Sequence, residues 1–65
     1  MTIQLNGKAY ALDEEISLTA LLARLAPRKP FAVAHNGQFV PRSQYEAHRI
    51  AANDQIEIVQ PSVGG

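Results

Sequence analysis

Sixty-five residues leave room for one small domain, because domains commonly run to about 100–200 residues, and this excludes multidomain and solenoid layouts as well as large active-site caverns. A hydrophobic fraction of 46% beside 18% charged residues suits a folded globule rather than a disordered segment, and six Lys and Arg against six Asp and Glu, with a pI near 6.7, supply no electrostatic footprint for nucleic acid or anionic lipid. Cysteine is absent, which removes disulfides, thiolate metal sites and an internal thiol nucleophile, and the lack of a long apolar run or signal-like start makes the cytoplasm the expected location, with no membrane partner.

Met1 to Leu12 places Asn6-Gly7 between two alternating stretches, the strongest short-range signal for a two-residue type I′ hairpin. With Asn6 and Gly7 as the loop, Leu5 faces Lys8, Ile3 faces Tyr10 and Met1 faces Leu12. Cross-strand partners share a face, so Met1, Ile3, Leu5, Tyr10 and Leu12 form the expected core side, and Thr2, Gln4, Ala9 and Ala11 take the other. Asp13-Glu14-Glu15 interrupts the alternation. After Ser17, Leu18, Leu21, Leu22 and Leu25 recur at i, i+3, i+4 and i+7, an amphipathic helix. Ser17 is its N-cap, Glu14 and Glu15 lie near its positive end, and Pro27 ends it at Ala26. Pro27-Arg28-Lys29-Pro30 is then a stiff basic loop, read as a solvated helix C-terminus in preference to an anion site.

Phe31 to His35 reads as a strand, Asn36-Gly37 as a second turn, and Phe39-Val40 as the next apolar pair before Pro41. Ser43 to Arg49 suits one helical or 3₁₀ turn with Tyr45 inward. Asn53-Asp54 is turn chemistry, and Gln55 to Val59 alternates with Ile56 and Ile58 inward. Tyr10, Phe31, Phe39 and Tyr45 are expected in the core. The order hairpin, helix, then further strands specifies an α+β fold with one main helix packed on a mixed four- to five-stranded sheet, the β-grasp or ubiquitin-like plan, with the first and last strands adjacent at its centre. Residues 1–60 are the expected β-grasp domain, and residues 61–65 a flexible Gly-Gly tail.

Familiar catalytic chemistry is missing. His35 and His48 have no ligand partner at helical spacing and read as surface or satisfied side chains, and no metal is expected. Ser43 and Ser62 lack nucleophile-elbow surroundings, and no glycine-rich phosphate loop is present. The remaining group is the α-carboxylate of Gly65. Consecutive glycines let a main chain thread a narrow channel, and a carboxylate becomes electrophilic once its oxygen is converted to a leaving group such as AMP. An ATP-using partner must do this, and because the chain has no cysteine, a sulfur that displaces AMP must come from elsewhere. On an arbitrary protein Gly-Gly reads as an inert end; on a β-grasp plan it points to a carrier.

Ser17-Leu18-Thr19-Ala20-Leu21-Leu22, Val33-Ala34-His35-Asn36-Gly37 followed by Val40-Pro41-Arg42, Asp54-Gln55-Ile56-Glu57-Ile58 and the terminal Val63-Gly64-Gly65 together resemble the ThiS family, the sulfur carriers of thiamine thiazole synthesis. The likeness spans essentially the full chain. Asn53 stands where that family often has Gly, and His35 occupies a strand position expected to vary. The resemblance implies a protein co-substrate, not an enzyme, with no bound cofactor. A ThiF-like enzyme would adenylate Gly65 with ATP and magnesium, a cysteine-desulfurase persulfide would supply sulfur to give a Gly65 thiocarboxylate, and a ThiG-like thiazole synthase would take it. Val63 and Gly64 would thread into the partner. On the sheet face opposite the helix, Ala9, Ala11 and Val59 form a candidate docking surface whose small, partly polar character suits transient exchange. A molybdopterin-synthase small subunit, a ubiquitin-like protein modifier and a β-grasp binding module with an inert tail are the competing readings.

Overall fold

In the structure, a computed structural model in which residues 1–61 are described, the first hairpin forms as the alternation requires. Strand β1 (Thr2–Leu5) and strand β2 (Lys8–Ala11) pair antiparallel with Leu5 opposite Lys8 and Ile3 opposite Tyr10. Asn6 and Gly7 both take positive φ, 50° and 81°, as a type I′ turn demands. The pairing continues to Met1 and Leu12, which exchange two hydrogen bonds of 2.8 Å through their main-chain nitrogens and carbonyls. Ile3 and Leu12 are buried, and Leu5 and Tyr10 half-buried. Met1 departs from the expected core set: it is 40% exposed, because it stands at the open end of the hairpin, before the neighbouring strand begins to pair at Gln4.

Helix α1 (Leu18–Leu25) starts where Ser17 accepts a hydrogen bond from the Ala20 amide at 3.1 Å, offsetting one free donor of the first turn. Leu18, Leu21 and Leu22 are buried and Leu25 half-buried. The helix closes through Ala26, which turns left-handed at φ 47° and donates its amide to the Leu22 carbonyl at 2.8 Å. The ring of Pro27 disfavours right-handed α geometry at Ala26, and the left-handed turn is the way out.

A short ladder before the helix was not evident in the sequence. Strand β3 (Ile16–Ser17) pairs antiparallel with β6 (Arg49–Ile50), so Ser17 is both a strand end and a cap. Two-residue strands far apart in the chain carry no periodicity. Between them come β4 (Ala32–His35), the turn at Asn36 and Gly37 (φ 52° and 84°), β5 (Gln38–Val40) and a 3₁₀ helix (Arg42–Ala47) that half-buries Tyr45. Strand β7 (Gln55–Val59) buries Ile56 and half-buries Ile58, with Gln55, Glu57 and Val59 outward.

The five-stranded sheet runs β2-β1-β7-β4-β5. The first and last of these strands in the chain, β1 and β7, lie parallel at its middle, with Gln4 beside Gln55 and Leu5 beside Ile56. One face holds the helix on a core of Ile3, Leu18, Leu21, Val33, Ile50 and Ile56, all fully or almost fully buried; each such side chain contributes on the order of 1.5–3 kcal/mol. Phe39 corrects the aromatic expectation. It is 68% exposed, because Val40 takes the inward position next to it and period-two alternation sends Phe39 to the opposite face. Phe31, Tyr10 and Tyr45 are half-buried against the core.

Candidate functional site

The central strand, β7, leads to the last of the described residues. β7 passes the end of β1, pairing Val59 with Ala32 of β4, and Gln60 then donates its side-chain amide to the Arg28 carbonyl at 2.7 Å. Pro61 is exposed. Gly65, Gly64 and Val63, the residues on which the carrier chemistry rests, lie outside the described residues. The structure therefore specifies the platform from which they depart.

All three candidate docking residues are exposed on the sheet face away from the helix, but they are not gathered together. Ala9 faces Gln4, whose other neighbour is Gln55. Val59 is four residues farther along β7, roughly 13 Å at about 3.3 Å per residue, and Ala11 lies beyond Ala9 in the opposite direction. The neighbours of Val59 on that face come from β4 and β5 instead: Ala32 lies opposite Val59, Ala34 opposite Glu57, and Phe39 opposite Ala34. Phe39, Ala34, Ala32 and Val59 make an apolar patch at the root of the tail. The strand alternation would have exposed it in the sequence had the inward residue of Phe39-Val40 been assigned.

Around the sheet edge from Phe39 an open groove of about 350 Å³ is lined by Lys29, Phe31, Phe39, Arg42 and Tyr45. The loop and the 3₁₀ helix thus bring two cations beside an aromatic cluster at the tail end of the molecule. Lys29 comes from the basic loop, whose Arg28 carbonyl holds Gln60.

At the other end the two histidines find partners that helical spacing did not reveal. His35 Nδ1 and His48 Nδ1 are 2.9 Å apart, with ring centroids at 5.2 Å in an edge-on arrangement, and His35 Nε2 lies 2.8 Å from Asp54 Oδ2. Asp54 also accepts from the Ala51 amide at 2.9 Å and the Asn36 side-chain amide at 3.2 Å. Burial by itself would raise the Asp54 carboxyl, but these hydrogen bonds, led by the Ala51 amide, and the adjacent His35 outweigh it and hold the group below its ordinary value. Among the described residues no group of three or more His, Cys, Asp or Glu side chains is placed to hold a metal ion, and no helix is long and apolar enough to cross a membrane.

The ThiS family model matches residues 3–65. A crystal structure of a thiamine biosynthesis protein (ThiS) from Geobacter metallireducens is similar to the chain at a TM-score of 0.87 and 28% identity, with 100% of both chains covered. A solution structure of a thiamine biosynthesis protein from the same organism gives a TM-score of 0.82 at 28% identity, covering 100% of this chain and 88% of that one. No curated protein matches. The β-grasp architecture is common to all of them. Asn53, at the position where the resemblance expected Gly, has φ 70°; a left-handed backbone is what glycine accepts most readily and asparagine next.

Proposed function

The chain belongs to the ThiS family, and from that premise we propose that it carries sulfur for thiamine biosynthesis as a protein co-substrate, with the C-terminal carboxylate of Gly65 as the carrying group. The observation that supports this most directly is the family match running through Val63, Gly64 and Gly65, joined to a central strand that ends at Val59, a few residues before them. Val63 and Gly64 serve as the segment threaded into a partner, ahead of Gly65.

The chemistry follows from the properties of the carboxylate. A ThiF-like enzyme joins Gly65 to the α-phosphate of magnesium-bound ATP, releasing pyrophosphate and leaving an acyl adenylate. The terminal sulfur of a desulfurase persulfide attacks the carbonyl and expels AMP. Cleavage of the resulting sulfur–sulfur bond by a thiol leaves the thiocarboxylate, and a ThiG-like synthase takes that sulfur into the thiazole. The domain's part is to be held while its end is processed. Phe39, Ala34, Ala32 and Val59 provide an apolar contact beside the tail root, and Lys29 and Arg42 flank it with positive charge. Ala9 and Ala11, on the far edge strand, extend the same face. A patch this small fits repeated exchange between partners better than a permanent complex.

The test is the intact mass of the chain from its native host, before and after a thiol-selective alkylating reagent. The expected result is a fraction heavier by one oxygen-to-sulfur exchange that takes up the reagent, with the change mapped to Gly65. The absence of cysteine keeps background labelling negligible. Removing Gly65, or capping its carboxylate as an amide, should leave the fold intact and abolish sulfur transfer; normal thiazole formation by either form overturns the proposal. Lysine-linked larger adducts would mark a protein modifier, and recovery in a stable heterotetramer a molybdopterin-synthase subunit.

A further inference from the structure

The polar cluster lies at the end of the sheet away from the tail, and its valence is restrictive. An ionised carboxylate only accepts hydrogen bonds, so at neutral pH the His35 Nε2 facing Asp54 carries the hydrogen. The Nδ1 of a neutral His35 is then a lone pair. The 2.9 Å contact between the two Nδ1 atoms requires His48 to donate from its own Nδ1.

One added proton fits this arrangement. It can reside on His48 Nε2 without disturbing the bond, or on His35 Nδ1 with His48 changing tautomer to accept; in each case one hydrogen lies between the two Nδ1 atoms. A second proton does not fit. Both Nδ1 atoms would then carry hydrogens pointing at one another, between two like charges, and the rings must part. Among the described residues Asp54 is the only carboxylate within ion-pair distance of either ring. Of the charged groups on the adjoining 3₁₀ helix and β6, Arg42 and Glu46 are exposed and Arg49 turns to the Glu15 carbonyl at 3.4 Å.

We infer that His35 and His48 form one proton-binding unit, a latch that stays closed with one added proton and opens with two. The consequence reaches several elements because of where His48 sits. Its amide donates to the Tyr45 carbonyl at 3.3 Å, closing the 3₁₀ helix, and its carbonyl accepts the Leu18 amide at 2.8 Å, at the start of α1. Arg49, the next residue, pairs with Ser17. His35 belongs to the end of β4. Opening the latch therefore acts first on the segment from Tyr45 to Ile50, which the His48 main chain joins to the start of α1.

A nitrogen-15 NMR titration of the full chain tests this. The expected signature is a scalar coupling between the two Nδ1 nuclei across their hydrogen bond, kept through the first protonation step and lost in the second. Amide shifts from Tyr45 to Ile50 should accompany the second step, while Ala9 and Ala11 stay still. Interacting sites titrate in macroscopic steps that belong to the pair, so His48→Gln should leave His35 with a single step, and Asp54→Asn should move the first step to lower pH. Two independent titrations, no coupling at any pH, and an unchanged His35 curve in His48→Gln would overturn the inference. If His48→Gln does not fold, the coupling measured in the unaltered chain decides by itself.

Discussion

The two Asn-Gly turns are nearly the same object placed on opposite sides of the central strand, one ending β1 and the other ending β4. Asn6 and Asn36 have φ of 50° and 52°, and Gly7 and Gly37 of 81° and 84°. Each asparagine also grips β7. Asn6 donates its amide to the Ile56 carbonyl at 2.9 Å and accepts the Ile58 amide on Oδ1 at 2.8 Å, and Asn36 does the same with the carbonyl and amide of Gln55, both at 2.7 Å. The side chains thus continue the ladder of β7 past the ends of β1 and β4. The turns differ in what lies beyond them. Asn36 also donates to Asp54, which holds His35, so its turn is fastened to the polar cluster; Asn6 lies beside Ile56 and Ile58, from which β7 leads toward the tail. One turn chemistry closes the molecule on one side and leaves it accessible on the other.

The core beneath both turns supplies the largest effect and the reference for the rest. Leu21→Ala should cost about 2–5 kcal/mol, since Leu21 is fully buried in α1; an unchanged denaturant midpoint would contradict that packing. Asn36→Ala should cost about 2–3 kcal/mol, from forcing alanine into left-handed geometry and losing hydrogen bonds to β7 and Asp54. Asn6→Ala should cost less, about 1–2 kcal/mol, on the same grounds. Glycine at either position keeps the backbone and removes only the side-chain bonds, so Asn36→Gly against Asn6→Gly isolates the fastening. Equal losses in that pair of denaturant titrations would erase the distinction between the turns.

Acid should act on one end first. The folded Asp54 carboxyl is held below its ordinary value of 3.8, so its contribution to stability is complete above that value and is lost as the pH falls through the lower folded one. Asp54→Asn should flatten this part of a stability-against-pH curve, and a curve unchanged by the substitution would show that Asp54 is not its source. The smallest effect on stability belongs to the open end. Phe39→Ala should stay within about 0.5 kcal/mol of the parent, because the ring is mostly solvent-exposed, yet weaken capture of the chain by the adenylating enzyme proposed as its partner. Calorimetry with that partner checks it, and undiminished binding would remove Phe39 from the docking surface.

Much of the fold was legible because its signals are local. The hairpin register follows from Asn6-Gly7 and one alternation, and the helix from four leucines behind a serine cap. The central position of β7 follows from its alternation and the β-grasp order. What was not legible is non-local. The β3-β6 ladder joins two pairs of residues distant in the chain, and no periodicity exists in two residues. The His35-His48-Asp54 cluster assembles from the end of β4, the residue after the 3₁₀ helix and the turn before β7. Its members share no motif spacing, which is why each histidine alone looked like an ordinary surface or satisfied side chain. The docking residues divide similarly: that Ala9, Ala11 and Val59 face away from the helix was readable from alternation, but that Phe39, Ala34 and Ala32 are the ones beside Val59 depends on the pairing of β7 with β4 and β4 with β5.

By itself, the sequence determined the kinds of the main elements, the buried faces of β1, β2 and β7 and the family to which the chain belongs, since turn chemistry, capping and period-two or period-3.6 patterning are written within a few neighbouring residues. The tertiary structure decided which ends of those elements meet. It placed an apolar and basic edge at the root of the tail and a proton-sharing histidine pair at the opposite end, because strand pairing between distant segments sets those distances and no local pattern encodes them.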